Sequence, residues 1–170
     1  TDRDELVALL AGVGGSSGDQ QALMLELVEQ IGTDRDPAEA IGLLRSLANG
    51  GSSAALQQSI LVRLAEGLKN RSSTLSGLIE SADVPAAVRE FVEAAFAHAA
   101  ETAAADDLAE TWRVAAVRLL AHAPATAASD VLADLLSPQI SQRLQTAAVE
   151  ALRQQPARSS GETLLSAWGT

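Results

Sequence analysis

The stretch RVAAVRLLAHAPA, residues Arg113–Ala125, decides the fold because the chain carries a second, related copy of it. The copy, QTAAVEALRQQPA, covers Gln145–Ala157 and begins 32 positions later. A repeat of about 30 to 40 residues with helical spacing is typical of stacked helix pairs, in which each unit buries its apolar face against its neighbours. Aligned without a gap, the copies share six of thirteen residues: Ala115/Ala147, Ala116/Ala148, Val117/Val149, Leu120/Leu152, Pro124/Pro156 and Ala125/Ala157.

Helical spacing of apolar residues continues outward from the two copies in both directions. The clearest earlier example is Ser53–Lys69, where Leu56, Ile60, Leu64 and Leu68 recur at every fourth position. No stretch alternates with a period of two, so no β-structure is expected. The sequence predicts an all-α fold, an α-solenoid of HEAT-like repeats with about ten helices in five antiparallel pairs of about 34 residues, forming a single domain over residues 1–170. The predicted helices cover approximately 4–11, 19–31, 36–48, 53–69, 75–82, 85–100, 107–123, 127–136, 140–155 and 159–168.

Several helix ends carry explicit signals. Asp36 and Pro37 suit the N-cap and the first position of a helix. Asp107 and Glu110 have the spacing of a capping box, which predicts a helix start at Asp107. Gly32 stands where the helix before it is expected to end.

The helix with the first repeat copy is expected to be central in the array. Its predicted buried stripe places Trp112 in the core, and Val114 and Val117 add apolar surface beside that stripe. Trp168 has two readings, packing on the last helix pair or marking where a longer chain continues. The full stripe consists of Leu108, Trp112, Ala115, Ala116, Leu119 and Leu120.

Composition argues against several classes of function. The net charge is −10, which repels phosphate backbones and anionic lipids, so neither nucleic-acid nor membrane binding is expected. The absence of cysteine excludes thiolate metal sites, CxxCH haem attachment and cysteine nucleophiles within these 170 residues. Because the sequence starts at Thr1, we expect it to be a segment of a larger multidomain protein.

No constellation of residues indicates catalysis. His98 and His122 are interpreted as terminal or solvent-facing histidines. Asp34 and Asp36 have the spacing that opens a calcium loop, but the later positions of that pattern lack its glycine and glutamate, so helix capping explains them better. The pair Asp106–Asp107 is interpreted in the same way.

The remaining candidates are equally weak. The glycine-rich segment Gly12–Gly18 lacks the order of a phosphate-binding loop and is interpreted as a turn. The serine pairs Ser16–Ser17 and Ser52–Ser53 are not part of a nucleophile elbow. We therefore predict no enzyme activity and no catalytic, cofactor-binding or metal-ligating residue in this segment.

The run Leu132–Pro156, LADLLSPQISQRLQTAAVEALRQQP, resembles a HEAT repeat. Together with ELVALLAGVG, LELVEQIG, WRVAAVRLLAHAP and the terminal LLSAWGT, it resembles the helical region of large planctomycete-type bacterial proteins. Those proteins combine an N-terminal propeller-like dehydrogenase domain, a HEAT-like region and a C-terminal c-type cytochrome with a CxxCH haem motif. The resemblance implies that any haem c belongs to the parent protein, and that the protein is periplasmic or exported.

Two functions are compatible with these observations. The first is a non-catalytic scaffold that spaces or docks the flanking domains of a larger redox protein, as the resemblance implies. The alternative is an independent acidic module that binds a basic protein partner or peptide. In both, the partner is a protein.

Overall fold

The structure, a computed structural model, describes residues 18–34 and 36–155. All regular secondary structure in these ranges is helical, which confirms the all-α class. Short loops of polar residues, glycine and proline separate the helices. The eight helices are α1 (Gly18–Thr33), α2 (Pro37–Asn49), α3 (Ala54–Asn70), α4 (Leu75–Ile79), α5 (Ala86–Ala104), α6 (Glu110–Leu120), α7 (Ala125–Asp134) and α8 (Gln142–Gln154).

These eight helices coincide with the second to ninth helices expected from the sequence. Their boundaries differ by three or more residues at four places: α4 ends at Ile79 instead of Ala82, α5 continues to Ala104 instead of ending at Ala100, and α6 begins at Glu110 instead of Asp107 and ends at Leu120 instead of Ala123. The expected helices at 4–11 and 159–168 lie outside the described residues, together with Gly12–Ser17 and Trp168. The total of ten helices and the solenoid arrangement therefore stay predictions.

The chain divides into two compact units, with the boundary between Val92 and Glu93, inside α5. The prediction of a single repeat domain over residues 1–170 is not decided by this division. In the first unit, α3 contributes the predicted stripe in full, because each of its members is buried. The fully buried side chains of this unit include Met24, Val28, Leu44, Leu47, Ile60, Leu61, Leu64, Leu68, Leu75 and Val92.

Helices α1 and α3 run parallel and in contact. Arg63 forms an ion pair with Glu29, 34 positions earlier, at 3.4 Å. Directly after the ends of both helices, the guanidinium of Arg71 donates to the carbonyl oxygen of Asp34, 37 positions earlier. Because both residue numbers increase together, the two helices point in the same direction, and α2 returns the chain between them.

The crossing of α1 and α3 is built on two glycines. A Cβ placed on Gly32 would lie 2.9 Å from the Gly67 Cα, and a Cβ on Gly67 would lie 2.8 Å from the Gly32 Cα. No side chain fits at either position because backbone faces backbone. The expectation that Gly32 ends the first of these helices was wrong: it lies inside α1, which ends at Thr33, and it permits the close approach of α3.

The capping signal before α2 is confirmed, because Asp36 is the N-cap and accepts a hydrogen bond from the Ala38 amide at 2.8 Å, with Pro37 following it. Asp34 accepts from the Asp36 amide at 3.2 Å, so both carboxylates serve the start of the helix. Ser53 caps α3 in the same way, accepting from the Leu56 amide at 3.4 Å.

Helix α3 ends in a Schellman motif with serine in the left-handed position. Ser72 has φ of 58°, its amide donates to Lys69, and the Ser73 amide donates to Leu68. Glycine is the preferred residue at this position, because any Cβ there costs about 1 to 2 kcal/mol.

Replacement of this serine should stabilise the protein. Ser72→Gly is expected to raise the free energy of unfolding by about 0.5–1 kcal/mol, since relief of the left-handed strain exceeds the added entropy of the unfolded chain. Urea denaturation of both proteins measures the change. Ser73→Gly is the control: this residue has no positive φ, so its substitution should leave stability unchanged or lower it. A loss of stability in Ser72→Gly would contradict the prediction.

The predicted stripe of α6 is buried only in its second half, at Ala116, Leu119 and Leu120. Val114 and Val117 are buried, but Trp112 is 52% exposed and Leu108 is 42% exposed. The expectation that Trp112 belongs to the core was therefore wrong. The buried face is rotated towards Arg113, which is only 8% exposed.

Arg113 explains this rotation. Its Nε donates to the carbonyl oxygen of Ala103 at 3.0 Å, near the end of α5, and its guanidinium pairs with Asp106 at 2.8 Å. The capping box at Asp107 and Glu110 is also corrected, because the N-cap of α6 is Ala109, without a side-chain hydrogen bond. The buried side chain of Arg113 fixes the turn before α6 through these two contacts, whereas no N-cap side chain contributes a hydrogen bond.

Loss of this buried arginine should destabilise the second unit. Arg113→Met keeps the aliphatic stem but leaves the Ala103 carbonyl without its side-chain donor, and we expect a cost of about 1–3 kcal/mol in the free energy of unfolding. Denaturant unfolding followed by circular dichroism measures it. Asp106→Asn should cost less, because the Asp106 side chain is 82% exposed. Equal stability of Arg113→Met and the unchanged protein would contradict this role.

Helices α6 and α8, which carry the two repeat copies, also run parallel. Arg143 lies 3.8 Å from Glu110 at the start of both helices. At their ends, the side-chain amide of Gln155 donates from Nε2 to the carbonyl oxygen of Leu120, 35 positions earlier. Helix α7 packs against both, and its Ala128 and Leu132 are fully buried.

Candidate functional site

The second unit has an open groove between α6 and α8. Its volume is about 540 Å³. The residues of α8 that line it, from Gln142 to Glu150, extend over about 12 Å of helix axis. We call it the α6–α8 groove, and it is lined by Val114, Arg118, Gln142, Arg143, Thr146, Ala147 and Glu150.

The α6–α8 groove carries two guanidinium groups, one on each helix. Arg118 is exposed and has no hydrogen bond or ion pair among the described residues. Arg143 is 62% exposed, and among the described residues it pairs with Glu110 at the long distance of 3.8 Å. Glu150 is the single carboxylate in the lining. Val114 and Ala147 contribute apolar surface between these charges.

The groove follows from a difference between the two repeat copies. Val114 and Val117 on α6, and Ala121 directly after it, are buried. The equivalent residues of α8, 32 positions later, are Thr146, Val149 and Arg153, and all three are exposed. The identical pairs Ala116/Ala148 and Leu120/Leu152, in contrast, are buried in both helices. One face of the helix is therefore buried in both copies of the repeat. A second face is buried on α6 but exposed on α8.

A second shared feature joins the copies. Arg113 and Gln145 occupy equivalent positions, the fourth residue of α6 and of α8. Each donates to a backbone carbonyl near the end of the preceding helix, Arg113 to Ala103 and Gln145 to Ser137 at 2.7 Å. Arg89, the fourth residue of α5, bonds Ile79 in the same way at 3.0 Å. The function of this position is kept although its residue type changes.

The histidines and aspartates that could have formed a catalytic or metal site do not form one cluster. His98 is exposed on α5 and pairs with Glu101 at 3.9 Å when protonated, a pair that the i,i+3 spacing could have indicated. His122 lies in the turn after α6 and is half-buried. Asp106 pairs with Arg113, and Asp34 serves the start of α2. Within residues 18–34 and 36–155, no group of three or more His, Asp or Glu residues could hold a metal ion.

Sequence reasoning missed the α6–α8 groove, Arg113 and the glycine crossing. Arg113 and Gln145 stand at equivalent positions in the aligned copies, but the difference in residue type hides their shared role. The two arginines of the groove, Arg118 and Arg143, lie 25 positions apart in the sequence, and only the parallel packing brings them to one surface.

Comparison with protein-family models, with curated proteins and with solved structures gives no match for this chain. Among the helices that the structure describes, none is both long and apolar enough to cross a membrane. What the chain does must therefore be inferred from its own geometry.

Proposed function

We propose that this chain is a HEAT-like helical-repeat segment that acts as a non-catalytic scaffold, spacing or docking protein domains. The observation that carries the proposal is the repeated parallel packing of alternate helices. In the first unit, α1 and α3 are linked by contacts between residues 34 and 37 positions apart. In the second unit, α6 and α8 are linked by a contact between residues 35 positions apart. Helical repeats stack in this way, each unit burying its apolar face on the next.

The equivalent hydrogen bonds of Arg89, Arg113 and Gln145 support the same proposal. A polar side chain at the fourth position of three helices bonds a carbonyl near the end of the preceding helix. The same type of hydrogen bond thus recurs from helix to helix. Such recurrence is typical of a repeated structural unit, whereas a catalytic site would be a single cluster of polar groups. Stacked repeats create extended surfaces for protein contacts, which favours a scaffold role.

The larger protein that we propose around this segment follows the resemblance to planctomycete-type multidomain proteins. In that arrangement a propeller-like dehydrogenase domain precedes the repeat and a c-type cytochrome follows it. Haem c and redox chemistry would belong to those domains, because this chain has no cysteine for haem attachment. The repeat would hold the two domains at a fixed separation.

The complete reading frame tests this proposal first. We expect a propeller-like domain before Thr1 and a CxxCH motif after Thr170. If such domains are found, the purified segment should bind one of them in size-exclusion chromatography or calorimetry when the two are mixed as separate proteins. A reading frame that encodes no further domain on either side would contradict the scaffold role.

A further inference from the structure

The exposed arginines of the second unit are concentrated on one surface. Among residues 93–155 there are four arginines, and Arg113 is buried and bonded to Ala103. The other three, Arg118, Arg143 and Arg153, are exposed and lie on α6 and α8. Arg118 and Arg143 line the α6–α8 groove, and Arg153 lies three residues after Glu150 on the same helix.

The exposed carboxylates of this unit lie mainly elsewhere. Glu93 and Glu101 are on α5, Asp106 and Asp107 are in the turn before α6, and Asp130 and Asp134 are on α7. Only Glu150 lines the groove, and Glu110 lies beside it. In a protein of net charge −10, two guanidinium groups thus face one carboxylate in the lining of this groove.

We infer that the α6–α8 groove docks an acidic protein segment, whose carboxylates are bound by Arg118 and Arg143. Guanidinium groups bind carboxylates through two parallel hydrogen bonds, and neither arginine is engaged in such a bond among the described residues. The distance of 3.8 Å between Arg143 and Glu110 leaves this side chain available for a better partner. Val114 and Ala147 provide apolar contact for the segment between its charges.

The size of the groove limits the occupant. About 12 Å of lined helix axis accepts about four residues of an extended chain. A nucleic acid also presents anionic groups, but the overall charge of −10 opposes a long polyanion more than a short acidic peptide. This inference deepens the proposed docking function, and it gives that function a surface and a partner of defined charge.

Binding of a labelled peptide tests the inference. The probe is a fluorescein-labelled Glu-Val-Glu-Glu-Val-Glu peptide, with Gln-Val-Gln-Gln-Val-Gln and Lys-Val-Lys-Lys-Val-Lys as its neutral and basic counterparts, measured by fluorescence anisotropy at low salt. We expect the acidic peptide to bind most tightly, with amide shifts at Val114, Thr146 and Ala147 in nuclear magnetic resonance spectra. Stronger binding of the basic peptide would overturn the inference and favour the alternative of a basic partner.

Variants locate the binding. The double variant Arg118→Gln/Arg143→Gln should weaken the acidic peptide at least about tenfold, and Glu150→Gln should tighten it. The matched control is Arg45→Gln/Lys69→Gln, which removes the same charge from exposed positions of α2 and α3 and should leave affinity within about twofold. An equal loss in both double variants would overturn the inference, because only the overall charge would then matter.

Two further outcomes separate the inference from the proposed function. If a flanking domain binds the segment and its binding survives Arg118→Gln/Arg143→Gln, docking stands and this groove is not its surface. If duplex DNA binds the unchanged protein at physiological salt and the double variant loses that binding, the groove recognises phosphates, which also overturns an acidic protein partner.

Discussion

Gly67→Ala is expected to lower the free energy of unfolding by about 2–3 kcal/mol. The added Cβ would meet the backbone of α1 at Glu29 and lie 2.8 Å from the Gly32 Cα. Backbone cannot move aside as a flexible side chain can, so α1 and α3 must separate and lose contact along their length. Urea denaturation, with unfolding followed at 222 nm, measures the change.

The sign of this effect is informative in itself. At an unconstrained helical position, alanine is about 1 kcal/mol more favourable than glycine, so a stabilised variant would show that the crossing is not closely packed. Gly51→Ala is the matched control, because a Cβ there has no atom within 4 Å, and we expect a change within about 0.5 kcal/mol. Gly32→Ala should resemble Gly67→Ala.

Leu120→Ala and Leu152→Ala should each cost about 2–5 kcal/mol, the effect of leaving a cavity in a packed core. Leu120 is 0% exposed and Leu152 is 1% exposed, and they are equivalent residues of the two repeat copies. Similar losses of stability are expected at both sites because both copies of the repeat bury this leucine. Differential scanning calorimetry and chemical denaturation measure the two losses independently.

Val149→Ala provides the contrast on the same helix. Val149 is identical to its counterpart Val117 but is 42% exposed, whereas Val117 is fully buried. We expect Val149→Ala to change stability by less than about 0.5 kcal/mol and Val117→Ala to cost markedly more. If the free energy of unfolding changed by less than about 0.5 kcal/mol for both Leu120→Ala and Leu152→Ala, these leucines would not belong to the packed core.

The sequence predicted those parts of the fold that depend on local signals. The stripe of α3, from Leu56 to Leu68, is buried as its spacing indicated, and Asp36 caps α2. In both cases the deciding interaction lies within one helix or one turn. The eight described helices were predicted for the same reason.

The failures occurred where a distant contact determines the arrangement. Trp112 fits the apolar period of α6, but the bond of Arg113 to Ala103 turns a different face inward. Gly32 has the features of a helix end, and only the position of Gly67 on the neighbouring helix reveals its other role. Neither contact can be predicted from the residues that flank Arg113 or Gly32 in the sequence.

The candidate site was the least predictable part. Its charges come from Arg118 on one helix and Arg143 on another, so they form one surface only after α6 and α8 have packed in parallel. The exposure of Thr146 and Arg153, where α6 has valine and alanine, was visible in the repeat alignment as a change of polarity. The substituted positions of the repeat therefore indicate an exposed face on α8.

Cysteine cross-linking tests most directly whether alternate helices run parallel at the spacing of the repeat, because the chain has no cysteine of its own. One pair, Glu29→Cys/Arg63→Cys, replaces an exposed ion pair of the first unit, and the other, Glu110→Cys/Arg143→Cys, replaces one of the second. A short bis-methanethiosulfonate reagent should cross-link each pair within a monomer, with the product identified by peptide mass after digestion.

The matched controls move one cysteine ten residues along its helix, about 15 Å. They are Asp19→Cys/Arg63→Cys for the first unit and Glu110→Cys/Arg153→Cys for the second. Parallel packing predicts efficient cross-links in the two original pairs and none in the shifted pairs. Cross-links in the shifted pairs, with none in the original ones, would contradict the parallel repeat arrangement on which the scaffold function depends.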